Sequence, residues 1–121
     1  MEDRPITGNA IMDISFDFAL KIIDFSEELI ANHKYVVENQ LTKSGTSIGA
    51  NVREAQNAES KSDFIHKMKI AAKEADETRY WLELCKYSKN YPSCDELLGE
   101  LEQITHILNS IIGTSKRNDQ K

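Results

Sequence analysis

The chain has 121 residues, 40% hydrophobic, 29% charged and 7% aromatic, with 15 basic against 20 acidic side chains and a formal net charge of -5. This describes one small domain that needs no disulfide or metal staple, since a chain of this size buries roughly two thirds of the surface its unfolded form exposes. No apolar run approaches the ~20 residues of a membrane span, the opening MEDRPITGNAIMDIS lacks the features of a secretion signal, and 5 glycines, 2 prolines and no alternating apolar runs argue against β-sandwiches and phosphate-cradling α/β folds.

Residues 1–12 show no periodicity and carry Pro5, Gly8 and Asn9, which reads as a loose arm. The first helix is expected over about 14–32. At ~100° per residue, Ile14, Phe18, Ile22, Phe25 and Leu29 form one stripe and Phe16, Ala19, Ile23 and Ile30 its neighbour. Together they span roughly 200°, about twice the arc of an ordinary surface helix. Part of that face is therefore available to another subunit.

After a polar link the second helix is expected over 40–58, with the seam Leu41, Gly45, Ile48, Val52 and Ala55 at bundle spacing. The third, over 61–89, opens on Ser60-Lys-Ser-Asp63, a capping box with Asp in place of Glu, and carries the seam Phe64, Met68, Ala71, Ala75, Thr78, Leu82 and Cys85. The fourth, over 94–112, opens on a second box, Ser93-Cys-Asp-Glu96, carries the stripe Leu97, Leu98, Leu101, Ile104, Leu108, Ile111 and Ile112, and stops at Gly113 as a C′ residue. Residues 114–121 read as a disordered tail. The expected fold is all-α, a single antiparallel up-and-down four-helix bundle.

Gly45-Thr-Ser47-Ile-Gly49 matches the nucleophile elbow literally, but that elbow needs a sheet strand before its turn, and none is available. The same glycines are small residues four apart, each costing about 1 kcal/mol in a helix interior, which points to a close approach of a neighbouring helix. Beside the seam of the second helix runs a polar stripe, Gln40, Ser44, Ser47, Asn51 and Glu54, bordering the core. Arg79 falls inside the apolar arc of the third helix, and an unpaired buried guanidinium is costly, so it is expected to join these residues in a buried network with Glu54 as partner.

No catalytic, metal or cofactor site emerges. Asp63-x-x-His66 and Glu102-x-x-x-His106 each occur once, short of the paired motifs a di-metal bundle needs. Cys85 and Cys94 fit no zinc or redox spacing and read as unpaired buried thiols of a cytoplasmic protein. Ile70, Trp81 and Leu84 cluster opposite the third helix's seam. With Phe16 and Ile23 they form the expected interface of a homo-oligomer. Charge is uneven: residues 1–39 hold 3 basic and 8 acidic side chains, 40–91 hold 9 and 7, and 92–121 hold 3 and 5, leaving a middle of +2 between flanks of -5 and -2.

The segments Lys43-Ser-Gly-Thr-Ser-Ile-Gly-Ala-Asn-Val-Arg-Glu-Ala55, Ser60-Lys-Ser-Asp-Phe-Ile-His-Lys-Met-Lys-Ile-Ala72 and Lys73-Glu-Ala-Asp-Glu-Thr-Arg-Tyr-Trp-Leu82 resemble a bacterial four-helix-bundle family. That family is named for proteins encoded in 23S ribosomal RNA intervening sequences. The resemblance runs in register over about residues 14–113. It implies an up-and-down bundle assembling into a ring, pentameric in relatives, and it brings no catalytic reaction. Accessory proteins of diversity-generating retroelements look similar and bind nucleic acid through basic ring surfaces.

Two functions follow as expectations. One is a non-enzymatic, ring-forming protein associated with RNA or ribonucleoprotein, with Lys43, Arg53, Lys67, Lys73 and Arg79 as candidate nucleic-acid contacts. The other is a structural or protein-interaction scaffold that binds no nucleic acid. Neither calls for a cofactor, a membrane or a small-molecule substrate.

Overall fold

The computed structural model describes Arg4 and residues 6–119. Four helices follow one another, α1 (Ala10–Ala31), α2 (Tyr35–Ala55), α3 (Lys61–Tyr87) and α4 (Asp95–Asp119). Each packs on its neighbours in sequence, and α4 closes on α1 along the loosest of the four seams. The short links force antiparallel neighbours, so the chain is an up-and-down four-helix bundle.

The core follows the stripes read from the sequence, with Ile14, Phe64, Leu98 and Ile111 only half-buried at its edge. Phe18, Ile22 and Leu29 of α1 meet Leu41, Ile48 and Val52 of α2, Met68 and Leu82 of α3, and Leu101, Ile104 and Leu108 of α4, all at most 1% exposed. Small residues on the α2 and α3 seams bring helices close. A Cβ on Gly45 would stand 2.9 Å from Ile22 Cγ1, and one on Gly49 would stand 3.3 Å from the Ser15 carbonyl oxygen. Both glycines therefore sit against α1, as their spacing suggested.

Several boundaries differ from expectation, α2 ending at Ala55 rather than 58 and α3 at Tyr87 rather than 89 among them. The first helix starts at Ala10 rather than in the mid-teens, because the Asn9 side chain caps it by accepting from Met12 N–H at 3.3 Å. Residues 10–12 are thus helical and not part of a loose arm; residues 1–3 and 5 lie outside the described set. The second helix starts at Tyr35 rather than 40. His33, at φ 60, takes the left-handed C′ position, with Lys34 N–H donating to Leu29 C=O (2.8 Å) and His33 N–H to Ile30 C=O (2.9 Å). This Schellman pairing reverses the chain within residues 32–34.

The second box also shifts. α4 begins at Asp95, so Cys94 rather than Ser93 flanks it, and Leu98 N–H donates to Cys94 C=O. Gly113 does not end α4, and the expected tail is helical through Asp119. One glycine costs only about 1 kcal/mol, and Ile112 beside it is anchored in the core. The Arg117 guanidinium folds back over Gly113 and donates to Thr114 Oγ1 at 3.1 Å. The box at Ser60 forms, with Asp63 N–H donating to Ser60 Oγ at 3.0 Å, though the Asp63 carboxylate reaches Glu59 N–H instead of the N-cap's own.

Candidate functional site

An open, largely apolar groove of about 600 Å³ lies between α1 and α2. α1 supplies Phe16, Ala19, Leu20 and Ile23, and α2 supplies Gly49, Ala50 and Arg53. Gly49 makes the groove by letting α2 ride low on the Ser15 backbone. Along the same face of α1, Leu20 is 41% exposed and Ile23 and Ile30 are each 44% exposed. Phe16 is flanked by two guanidinium groups, Arg53 at 5.8 Å and Arg4 at 5.9 Å from the ring centroid. The wide apolar arc of α1 thus divides into a buried stripe and an uncovered one.

Of the expected interface residues, Phe16 and Ile23 lie in this groove. Of Ile70, Trp81 and Leu84, read opposite the α3 seam, only Leu84 is exposed. Trp81 is half-buried and packs against the core at the edge of the seam, because its position is only about 40° from Cys85 on a helical projection. Its ring meets Tyr80 edge-on at 5.2 Å. Among the described residues its indole N–H is buried without a hydrogen-bond partner. Ile70 is half-buried and Leu84 is exposed.

The buried polar network is absent. Gln40, Glu54 and Arg79 are exposed, and Ser47 and Asn51 are half-buried. Ser47 donates to Lys43 C=O of its own helix at 2.6 Å, and Asn51 donates to Ser47 C=O at 2.9 Å. Arg79 pairs with Glu83 one turn along α3 at 3.5 Å, its long side chain reaching solvent past the seam. It lines a polar groove of about 800 Å³ between α3 and α4 with Glu83, Lys86, Glu102 and His106.

The buried polar contact is elsewhere, between Ser44 and Thr78, which the sequence reading counted as stripe and seam. Both are fully buried, with hydroxyl oxygens 3.0 Å apart. Thr78 donates to Glu74 C=O at 2.7 Å, which leaves the Ser44 proton to complete the pair. On the α1–α4 side, Lys21 ties Asp17, Glu96 and Glu100 together. Its hydrogen bond to Glu100 holds the ammonium above its ordinary pKa.

The candidate nucleic-acid contacts do not share one surface. Arg53 joins the α1–α2 groove and Arg79 the α3–α4 groove, while Lys43 is exposed on α2 and Lys67 and Lys73 lie on the first half of α3. A closer pairing, not read from the sequence, sets the Lys116 and Lys69 side chains against each other across α4 and α3. That close contact and the Lys69 charge lower the Lys116 pKa.

Ser47 sits mid-helix in α2, with its hydroxyl engaged by its own turn, so the elbow-like motif is not an elbow. Burial, then the neighbouring Cys94, pushes the Cys85 thiol up to about 11, and the Cys94 thiol is likewise raised by burial. Cys94 donates to Leu82 C=O at 3.2 Å. Both are structural thiols held in the protonated form. No helix among the described residues is long and apolar enough to cross a membrane.

The profile of the 23S rRNA-intervening sequence protein family matches residues 8–110. The chain belongs to that family. A crystal structure of a protein of unknown function from the S23 ribosomal protein family of Bacteroides thetaiotaomicron is 41% identical. Its match covers 84% of this chain and 97% of that one, with a TM-score of 0.81. No curated protein matches. For a 23S rRNA-intervening sequence protein, the matched span takes in both α1–α2 groove walls and the polar α3–α4 groove, and ends before Lys116.

Proposed function

We propose that this protein is a non-enzymatic, self-associating bundle that works in association with RNA or ribonucleoprotein. The uncovered apolar stripe of α1 carries the reading. Phe16, Leu20, Ile23 and Ile30 recur at spacings of four, three and seven, a second bundle seam on a helix whose first seam is already filled. Leaving Leu20, Ile23 and Ile30 in water forfeits about 25 cal/mol for each Å² that a second copy would cover. Closed cyclic assembly is the arrangement that buries such a face on every copy, and five-fold closure is the form the family resemblance implies.

The association with RNA is supported by the family's name and by the lysines of the first half of α3. A reducing, cytoplasmic setting suits two protonated buried thiols. The reading without catalysis is supported by the helical setting of Ser47 and the raised thiol pKa values.

The net charge of -5 favours a second reading, a structural scaffold that binds no nucleic acid. Titration of the full chain with a structured ribosomal RNA fragment separates the two. The first reading requires an affinity that falls linearly with log salt as phosphate contacts release counterions, and the scaffold reading requires no binding even at low salt.

A further inference from the structure

The antiparallel α3–α4 hairpin segregates charge by its two ends. Residues 61–73 and 103–119, the first half of α3 and the second half of α4, hold 6 basic side chains and 2 acidic, a net +4. Residues 74–102, at the other end, hold 3 basic and 8 acidic, a net -5. The cations at the two ends also differ in state. At the acidic end two of the three cations are paired, Arg79 with Glu83 and Lys86 with Asp95. At the basic end Lys61, Lys67, Lys69, Lys73, Lys116 and Arg117 make no ion pair among the described residues, and the first five are all lysines at or near the surface except for half-buried Lys67.

We infer that the basic half of the α3–α4 hairpin is the seat of an RNA phosphate backbone, held by lysines of both helices with Lys69 and Lys116 at its centre. The inference rests on the RNA-associated reading above and gives that reading its surface. The Lys69 and Lys116 side chains come close to each other and their like charges repel, and an anion placed there relieves the repulsion. A helix C-terminus attracts Lys116 and Arg117 for its own sake, but it gives no reason for Lys69 to face them.

Extent and shape select a polymer over a small anion. Lys61 to Lys73 alone span about 18 Å of helix at 1.5 Å per residue, and none of the six cations lines either large groove. At ~100° per residue Lys61, Lys69 and Lys73 lie within about 120° of one another on α3 while Lys67 falls on the other side. The α3 part of the track therefore runs over the first three, an open and elongated set as a sequence-independent backbone contact requires. In a cyclic assembly every copy presents this half at the same height, so the basic halves gather on one face of the ring.

The test is fluorescence anisotropy of the full chain with a labelled RNA hairpin of about 20 nucleotides, read between about 50 and 200 mM salt. The Lys69→Glu/Lys116→Glu variant is expected to bind about tenfold or more weakly, with a salt slope smaller by about two. Arg79→Glu/Lys86→Glu, at the acidic end, is expected to bind within about twofold of wild type. All four side chains are exposed, and thermal melts of both variants verify folding. Equal affinity in Lys69→Glu/Lys116→Glu and wild type overturns the seat and leaves RNA association standing. A wild type that binds no RNA at the lowest salt overturns both. A change of sedimentation in Lys69→Glu/Lys116→Glu would make this surface a contact between copies and also overturn the seat.

Discussion

Gly45 of α2 and Ile22 of α1 meet so closely that no Cβ fits between them, the nearest Ile22 side-chain atom being 2.9 Å from where one would stand. Ile22 is fully buried and cannot retreat. Gly45→Ala should therefore destabilise the protein by about 1–3 kcal/mol as an overpacked core does, against the ~1 kcal/mol that alanine gains in a helix. Gly99 of α4, with open space around it, serves as the control. Gly99→Ala should stabilise by about 0.5–1 kcal/mol. Urea denaturation of the two variants measures both signs.

His33 holds the reversal between α1 and α2 at φ 60, where a Cβ is strained. Glycine there should raise stability by roughly 0.5–1 kcal/mol, even with loss of the 2.8 Å contact between His33 Nδ1 and the exposed Tyr35 hydroxyl. His33→Val should lower stability by more than His33→Gly raises it, because branching at Cβ aggravates the strain. Thermal melts of the pair read the difference directly.

Ser44 and Thr78 link α2 to α3 inside the core, and each also has a carbonyl of its own helix within reach. Ser44→Ala and Thr78→Val should each cost about 1 kcal/mol. The double variant should cost less than the sum, since the second change no longer strands a partner. A double-mutant cycle in denaturant measures the coupling.

Cys85 supplies a pH dependence. Its ordinary value is 9.0 and burial first, then Cys94, raises it to about 11 in the folded chain. Between those values the unfolded chain has lost a proton the folded chain keeps, so stability should fall as pH rises from about 9 to about 11. Cys85→Ala should flatten that segment of the profile. Below pH 9 the thiol is neutral in both states and contributes no slope. Labelling by a thiol reagent at pH 8 should proceed at the rate of unfolding, measured alongside global exchange.

The helical periodicities carried the fold because burial is set one residue at a time by helix angle. Leu41, Ile48 and Val52, or Met68, Ala75 and Leu82, are buried where their spacing puts them. Boundaries were less legible. The first turn of α2, Tyr35-Val36-Val37, is apolar but largely exposed, so no buried stripe marks it, and its start depends on a histidine in a glycine's conformation. α4 runs through Gly113 because side-chain contacts outweigh propensity. The site was least legible where long side chains were involved: Arg79 sits near the apolar arc by angle yet ends in solvent, paired with Glu83. Leu20 was readable, four residues from Phe16 and three from Ile23. The meeting of Lys69 with Lys116 was not, since it exists only once α4 continues past Gly113.

Sedimentation of the full chain at high concentration tests the central claim, that the uncovered stripe of α1 is a contact between copies. Wild type is expected to sediment as a single multimer, and Leu20→Glu/Ile23→Glu, which places two charges on that stripe without touching the core, as a folded monomer with an unchanged helical spectrum. A wild type that remains monomeric, or a multimer that this double variant leaves intact, would contradict the account.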